Sequence, residues 1–125
     1  MATVLYWFSG TGNSLAVARD LADRLAGARL AAIPHALAGH TIAGDRIGLV
    51  FPVYAFGPPA IVSRFAAVLP AGRDAYVFSV ATMAGLAGVT HQVLRRSLAS
   101  RGLRLAAGWS VVMPGNCIRF YGAPS

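Results

Sequence analysis

The chain has 125 residues, of which 56% are hydrophobic and 12% charged, so it buries enough apolar surface to offset chain entropy, and intrinsic disorder is excluded. Eleven cations against four acids give a formal charge of +7; every cation is arginine and the acids are Asp20, Asp23, Asp45 and Asp74, which favours acidic partners. The arginines are scattered apart from Arg95, Arg96, Arg101 and Arg104 and lack interleaved aromatics, so nucleic acid is not expected as a partner.

Cys117 stands alone, which excludes an intrachain disulfide, a CxxC metal site or an iron-sulfur cluster built from this chain by itself, and implies a reducing, cytoplasmic setting. No period of repeat length is present, and one domain over residues 1–125 is expected. The start of the chain lacks the basic region and cleavage site of a secretory signal. Residues 75–94 carry no formal charge, but Ser79, Thr82, Gly85, Gly88, Thr90, His91 and Gln92 suit a strand, loop and helix better than a membrane span. No membrane partner is expected.

In chain order, residues 4–8 are a short apolar run punctuated by Ser9-Gly10-Thr11-Gly12-Asn13, the pattern of a central strand buried on both faces. Leu15, Ala18, Leu21, Ala22 and Leu25 then recur at helical spacing opposite Arg19, Asp20, Asp23 and Arg24, with Gly27 as the stop. Residues 30–33 read as a second strand, the segment through Gly44 has no clear pattern, and residues 47–51 are a third strand ended by Pro52. Pro58 and Pro59 suit the first turn of a helix whose inner face is Ile61, Val62, Phe65, Val68 and Leu69. Residues 75–80 form the fourth strand. Gly88 or a neighbour opens a helix carrying Val89, Val93, Leu94 and Leu98 and ending at Gly102, and residues 103–113 give the last strand.

Strands alternating with helices across short connections imply a doubly wound α/β fold with a parallel five-stranded sheet. The order 2-1-3-4-5 places a switch point between strands 1 and 3, where a ligand binds beyond the carboxyl ends. After Met113 the chain is too short and too rich in Gly and Pro for the helix that normally closes such a sheet. That C-terminal helix is expected to be missing, leaving apolar surface beside the first helix at about 25 cal/mol per Å². A truncation, an excised piece or a partner chain, including a second copy in a homodimer, would account for it.

Three loops carry the chemistry. Ser9, Gly10, Thr11, Gly12, Asn13 and Ser14 lie between a buried strand and a helix N-terminus, where amide N–H groups, hydroxyls and the helix dipole favour an anion. No lysine is present for a Walker A loop; Leu15 replaces the third glycine of a dinucleotide fingerprint, and no acid follows the second strand. A single terminal phosphate held by neutral donors fits, against the plainer reading of a capped helix. Pro52, Val53, Tyr54, Phe56 and Gly57 place two aromatics among glycine and prolines, a platform for a flat ring unless both pack under the loop. Thr82, Met83 and Gly85 follow the fourth strand, where small residues permit close backbone approach and methionine offers a soft apolar contact, unless the loop is simply a connection.

His35, His40 and His91 have no carboxylate or cysteine at metal-ligand spacing, so no metal is expected. The hydrolase elbow is missing and no catalytic side chain is assigned. Trp7 and Trp109 read as core or interface, and Cys117 as inert packing.

The runs YWFSGTGNS at residues 6–14, VFPVY at 50–54 and MPGN at 113–116 resemble the FMN-binding flavodoxin-like domain of bacterial proteins that fuse it to a ferredoxin-type domain. The similarity extends over nearly the whole chain. It implies FMN as cofactor, with residues 9–14 taking the phosphate, Tyr54 stacking on the isoalloxazine ahead of Phe56, and Gly57 letting a peptide reorient as the ring N5 gains a proton. It further implies that Thr82 and neighbouring amides meet the pyrimidine edge. The chain departs from the family in lacking both the cysteine-rich cluster domain and the final helix. The resemblance therefore implies an electron carrier that serves a separate acidic redox protein such as a ferredoxin, or an iron-sulfur domain in trans. A flavin-dependent reductase of a quinone or nicotinamide, and an interaction domain that has lost FMN, are the alternatives. The three loops contain no acid; a unit negative charge roughly 10 Å away would raise the energy of an anionic reduced flavin by about 1.7 kcal/mol at an effective dielectric near 20. A reduced flavin less destabilised than in acid-ringed flavodoxins is expected.

Overall fold

Short aliphatic runs and amphipathic helices alternate along the chain as β1 (Thr3–Trp7), α1 (Asn13–Arg24), β2 (Arg29–Ala32), α2 (Ile33–Leu37), β3 (Arg46–Pro52), α3 (Ala60–Ala66), β4 (Tyr76–Met83), α4 (Thr90–Ala99), β5 (Leu105–Val112) and β6 (Arg119–Pro124). The computed structural model describes residues 2–9, 13–53, 57–72, 74–83, 90–112 and 119–124. Among these, one sheet runs in the order β2-β1-β3-β4-β5-β6. β1 to β5 are mutually parallel in the order 2-1-3-4-5 expected for the doubly wound fold. β6 adds a sixth, antiparallel strand beside β5, pairing Val112 with Arg119 and Ala107 with Pro124. Residues too rich in Gly and Pro for a helix thus meet their backbone hydrogen bonds on a sheet edge, where proline is tolerated.

Period-two alternation divides the strands between two cores. Val4, Tyr6, Leu49, Phe51, Val77 and Leu105 face one way, against Ile33 of α2, Val62 and Phe65 of α3, and Leu94 and Leu98 of α4. Leu5, Val50, Phe78, Val80, Ala107 and Val111 face the other, where α1 supplies Val17 and Ala18. Three helices cover the first face. Among the described residues α1 alone packs on the second, and Trp7 and Trp109 are half-buried there.

The helix stops are where glycine predicts them. Gly27 (φ 76°) follows α1, and Gly102 (φ 81°) ends α4 in a Schellman motif, with Leu103 N–H donating to Leu98 O at 2.9 Å and Gly102 N–H to Ala99 O at 2.9 Å.

Three expectations are corrected. The unpatterned segment after β2 contains α2, for which Pro34 supplies a favourable first-turn residue. The segment beyond it is anchored by Tyr6, whose buried hydroxyl donates to Ile42 O (2.9 Å) and accepts from Ile42 N–H (3.2 Å). Val68 is not on the inner face of α3: the helix ends at Ala66, the following turn rotates Val68 to 56% exposure, and Leu69 returns to the core. β4 continues to Met83, so strand pairing with β5 extends past the sequence boundary at Val80, while the expected helix opening at Gly88 or a neighbour lies outside the described residues, which resume with α4 at Thr90.

Candidate functional site

The carboxyl ends of β1, β3 and β4 meet the start of α1 at one edge of the sheet. Phe8 N–H donates to Val50 O at 2.9 Å, carrying the β1–β3 pairing one residue past β1. Pro52 stands opposite Thr82 in the β3–β4 register, and Val53 N–H donates to Thr82 O at 3.0 Å. Ser14 in the first turn of α1 and Thr82 near the end of β4 are joined through their hydroxyls at 2.8 Å, and Thr82 has Phe51 O as a distant second acceptor at 3.5 Å. Both side chains are buried, with Ser14 at 0% and Thr82 at 4% exposure.

Ser14, Val53 and Thr82, one from each of the three loops, meet at this junction. Ser9 and Val53 are half-buried, Asn13 is exposed at the head of α1, and Gly57 is half-buried three residues before α3. Met83 closes β4 opposite Val112. Gly10, Thr11, Gly12, Tyr54, Phe56 and Gly85 lie outside the described residues, as does Cys117. The sequence gives Ser14 to a phosphate and Thr82 to a ring edge; in the structure the two hydroxyls bond to one another.

The chemistry of the corner suits an anion. The first turn of α1 contains no acidic residue, its leading amides have no intrahelical acceptor, and the helix dipole is positive there. No group of three His, Cys, Asp or Glu side chains able to hold a metal occurs among the described residues. A phosphate monoester therefore fits the donor set of the described residues.

Sequence reasoning set His91 aside, yet on the opposite face it joins two strands to a helix through both ring nitrogens. Its Nδ1 lies 2.6 Å from Ser79 Oγ and its Nε2 3.3 Å from Ser110 Oγ, so the ring bridges β4 and β5 from the first turn of α4. Burial, reinforced by Arg95 one turn along α4, holds the imidazolium below the usual histidine range. A neutral imidazole, one nitrogen donating and the other accepting, matches two hydroxyl partners. The signal was a serine inside the apolar strand run YVFSV, since a buried hydroxyl requires a partner. His35 and His40 stack on each other at 4.1 Å on the surface and join no site.

A separate apolar groove of about 370 Å³ lies beside α1, walled by Leu21 and Leu25 and floored by Tyr76, Phe78 and Trp109. The groove runs from Arg46 and Tyr76, the first residues of β3 and β4, to Val80, two residues short of Thr82 on the same face of β4. Apolar surface beside the first helix is present where the sequence predicts it. No helix among the described residues is long and apolar enough to cross a membrane.

No protein-family model and no curated protein matches the chain. Among solved structures, the chain is similar to a flavodoxin from Streptococcus pneumoniae TIGR4, with 16% sequence identity, 89% of this chain and 83% of that chain covered, and a TM-score of 0.58. Strand order, crossover pattern and this likeness together give the chain a flavodoxin-like α/β fold.

Proposed function

We propose that the chain binds FMN at the corner formed by α1 and the carboxyl ends of β1, β3 and β4, and exchanges electrons with a separate redox protein. The observation that carries this reading is an acid-free helix N-terminus at the switch point of a 2-1-3-4-5 sheet. The solved flavodoxin of similar fold supports it. Ser9, Asn13 and the leading amides of α1 would hold the phosphate, with Gly10, Thr11 and Gly12 between them. Pro52, Val53, Tyr54, Phe56 and Gly57 would flank one side of the ring, and Met83 and Gly85 the other. Bound FMN would supply the electron chemistry, and the protein sets its orientation and exposure to water.

The partner in this proposal is an acidic redox protein, such as a ferredoxin or an iron-sulfur domain in trans, in a reducing cytoplasmic setting. Arg95 and Arg96 on α4 and Arg101 and Arg104 beyond it are all exposed, and with a net charge of +7 they draw such a partner at long range. Raising the ionic strength should slow electron transfer to it.

Titrating the chain with FMN while following flavin and tryptophan emission tests the proposal. Saturable quenching, with riboflavin binding more weakly because it lacks the phosphate, is the expected result. Unchanged emission of both at saturating FMN, with the fold intact by circular dichroism, would falsify it.

A further inference from the structure

We propose that Thr82 is a positioning residue that holds the anion-binding head of α1 in register with the sheet, acting through Ser14; this rests on the flavin reading above. The two residues are 68 apart in sequence and share a buried hydroxyl contact of 2.8 Å. Thr82 is fixed on the sheet side, standing between Pro52 of β3 and Val111 of β5 while its carbonyl accepts from Val53 N–H. It lies on the α1 face of β4, two residues beyond Val80 and four beyond Phe78.

Apolar contacts between α1 and the strands tolerate sliding, whereas a hydrogen bond between two buried hydroxyls is satisfied in one arrangement and costly to leave open. Val17 and Ala18 supply the apolar part of the α1 contact, and the Ser14–Thr82 bond sets its register. The amides that receive the phosphate belong to the turn that Ser14 occupies. Loosening the bond displaces those donors while leaving the β3 and β4 loops in place, so its loss should be read in recognition of the phosphate rather than of the ring.

The test compares FMN and riboflavin affinity, by flavin fluorescence, in the full chain and in Thr82→Val, Thr82→Ser and Ser14→Ala variants. Thr82→Val should weaken FMN binding about five- to tenfold, the worth of one buried hydrogen bond, and change riboflavin binding less than about twofold. Thr82→Ser should restore FMN affinity. Ser14→Ala should match Thr82→Val, and the double variant should be no weaker than either single one, because both remove one bond. Equal weakening of FMN and riboflavin would place Thr82 on the ring and overturn the proposal, as would no change in either. A loss from Ser14→Ala far beyond that from Thr82→Val would place Ser14 on the phosphate directly and also overturn it. Should the parent chain bind no FMN, the flavin reading fails separately, and hydrogen exchange decides the positioning role. Thr82→Val is then expected to speed exchange of amides 17–19, whose acceptors lie in the first turn of α1, about tenfold relative to α4. Unchanged exchange would refute it.

Discussion

The two faces of the sheet are made from the same strands, and alternate residues of β4 belong to opposite cores, yet the faces are finished differently. On one, α2, α3 and α4 bury Tyr6, Phe51 and Phe65 completely, and the rings of Tyr6 and Phe65 meet at 4.8 Å. On the other, α1 covers the β1 and β3 side and leaves a groove over Tyr76, Phe78 and Trp109. Among the described residues each face carries a polar tie between sheet and helix, the part-buried Ser79–His91–Ser110 bridge to α4 and the buried Thr82–Ser14 contact to α1. The more open one has room to yield at its groove and, beyond Val80 toward the carboxyl ends of the strands, carries the candidate anion site.

The largest effect expected from breaking this contrast is at Phe65, 1% exposed on the inner face of α3. Phe65→Ala should lower the unfolding free energy in urea by about 3–5 kcal/mol, since its ring packs on Tyr6 of β1 within a core that α2, α4 and the sheet share and that cannot collapse into the space. Two glycines sharpen the comparison. A Cβ at Gly108 would stand 2.6 Å from Nδ1 of His91, a ring held by hydrogen bonds at both nitrogens, so Gly108→Ala should cost about 1–3 kcal/mol. A Cβ at Gly48 would stand 2.5 Å from Phe78 Cζ and 2.7 Å from Leu5 Cδ2. There the Phe78 ring has the groove to move into, and Gly48→Ala should cost less than Gly108→Ala in the same denaturation series. A reversed order would show that the groove side is as tightly closed as the other.

How far the sequence anticipates this architecture follows from which signals are local. Continuous apolar runs, the prolines before α3 and the glycines after α1 and α4 act within a few residues, and the order 2-1-3-4-5 follows from them once crossovers are right-handed. What escaped depends on distant partners. α2 is five residues long and is supported by Ile33 and Ala36 packing in the core, Ile42 is set by a tyrosine 36 residues away, and β6 exists only as a pairing with β5. At the candidate site the positions of Ser14 and Thr82 beside a switch point were readable. Their mutual bond was not, because nothing near either residue announces a contact 68 residues off. The bridging role of His91 was missed for the same reason, as its partners lie on two strands.

His91 provides a prediction in pH. Its imidazolium is disfavoured in the native protein by burial and by Arg95, while the unfolded chain takes up a proton near the ordinary value of 6.5. Above that value neither state is protonated at this ring, and the contribution to stability is at its maximum. As pH falls from about 6.5 toward the depressed native value, the unfolded state binds the proton first and stability is lost; below the native value the loss levels off. Urea midpoints from pH 8 to 5 should fall more steeply for the parent chain than for His91→Gln. Parallel profiles would mean that the ring is solvated in solution and that the closed face opens at α4.

The smallest expected effect is at Tyr76, on the rim of the groove and 43% exposed. If the groove is open to solvent, Tyr76→Ser removes a ring that is only part-buried against Phe78 at 6.1 Å, and the unfolding free energy should change by less than about 1 kcal/mol, far below the loss at Phe65. The measurement gains from being run at several protein concentrations. A second copy seated in the groove would stabilise the folded chain by mass action, raise the midpoint with concentration, and make Tyr76→Ser abolish that dependence. A midpoint independent of concentration, together with a small Tyr76 effect, would leave the difference between the faces as a property of one chain.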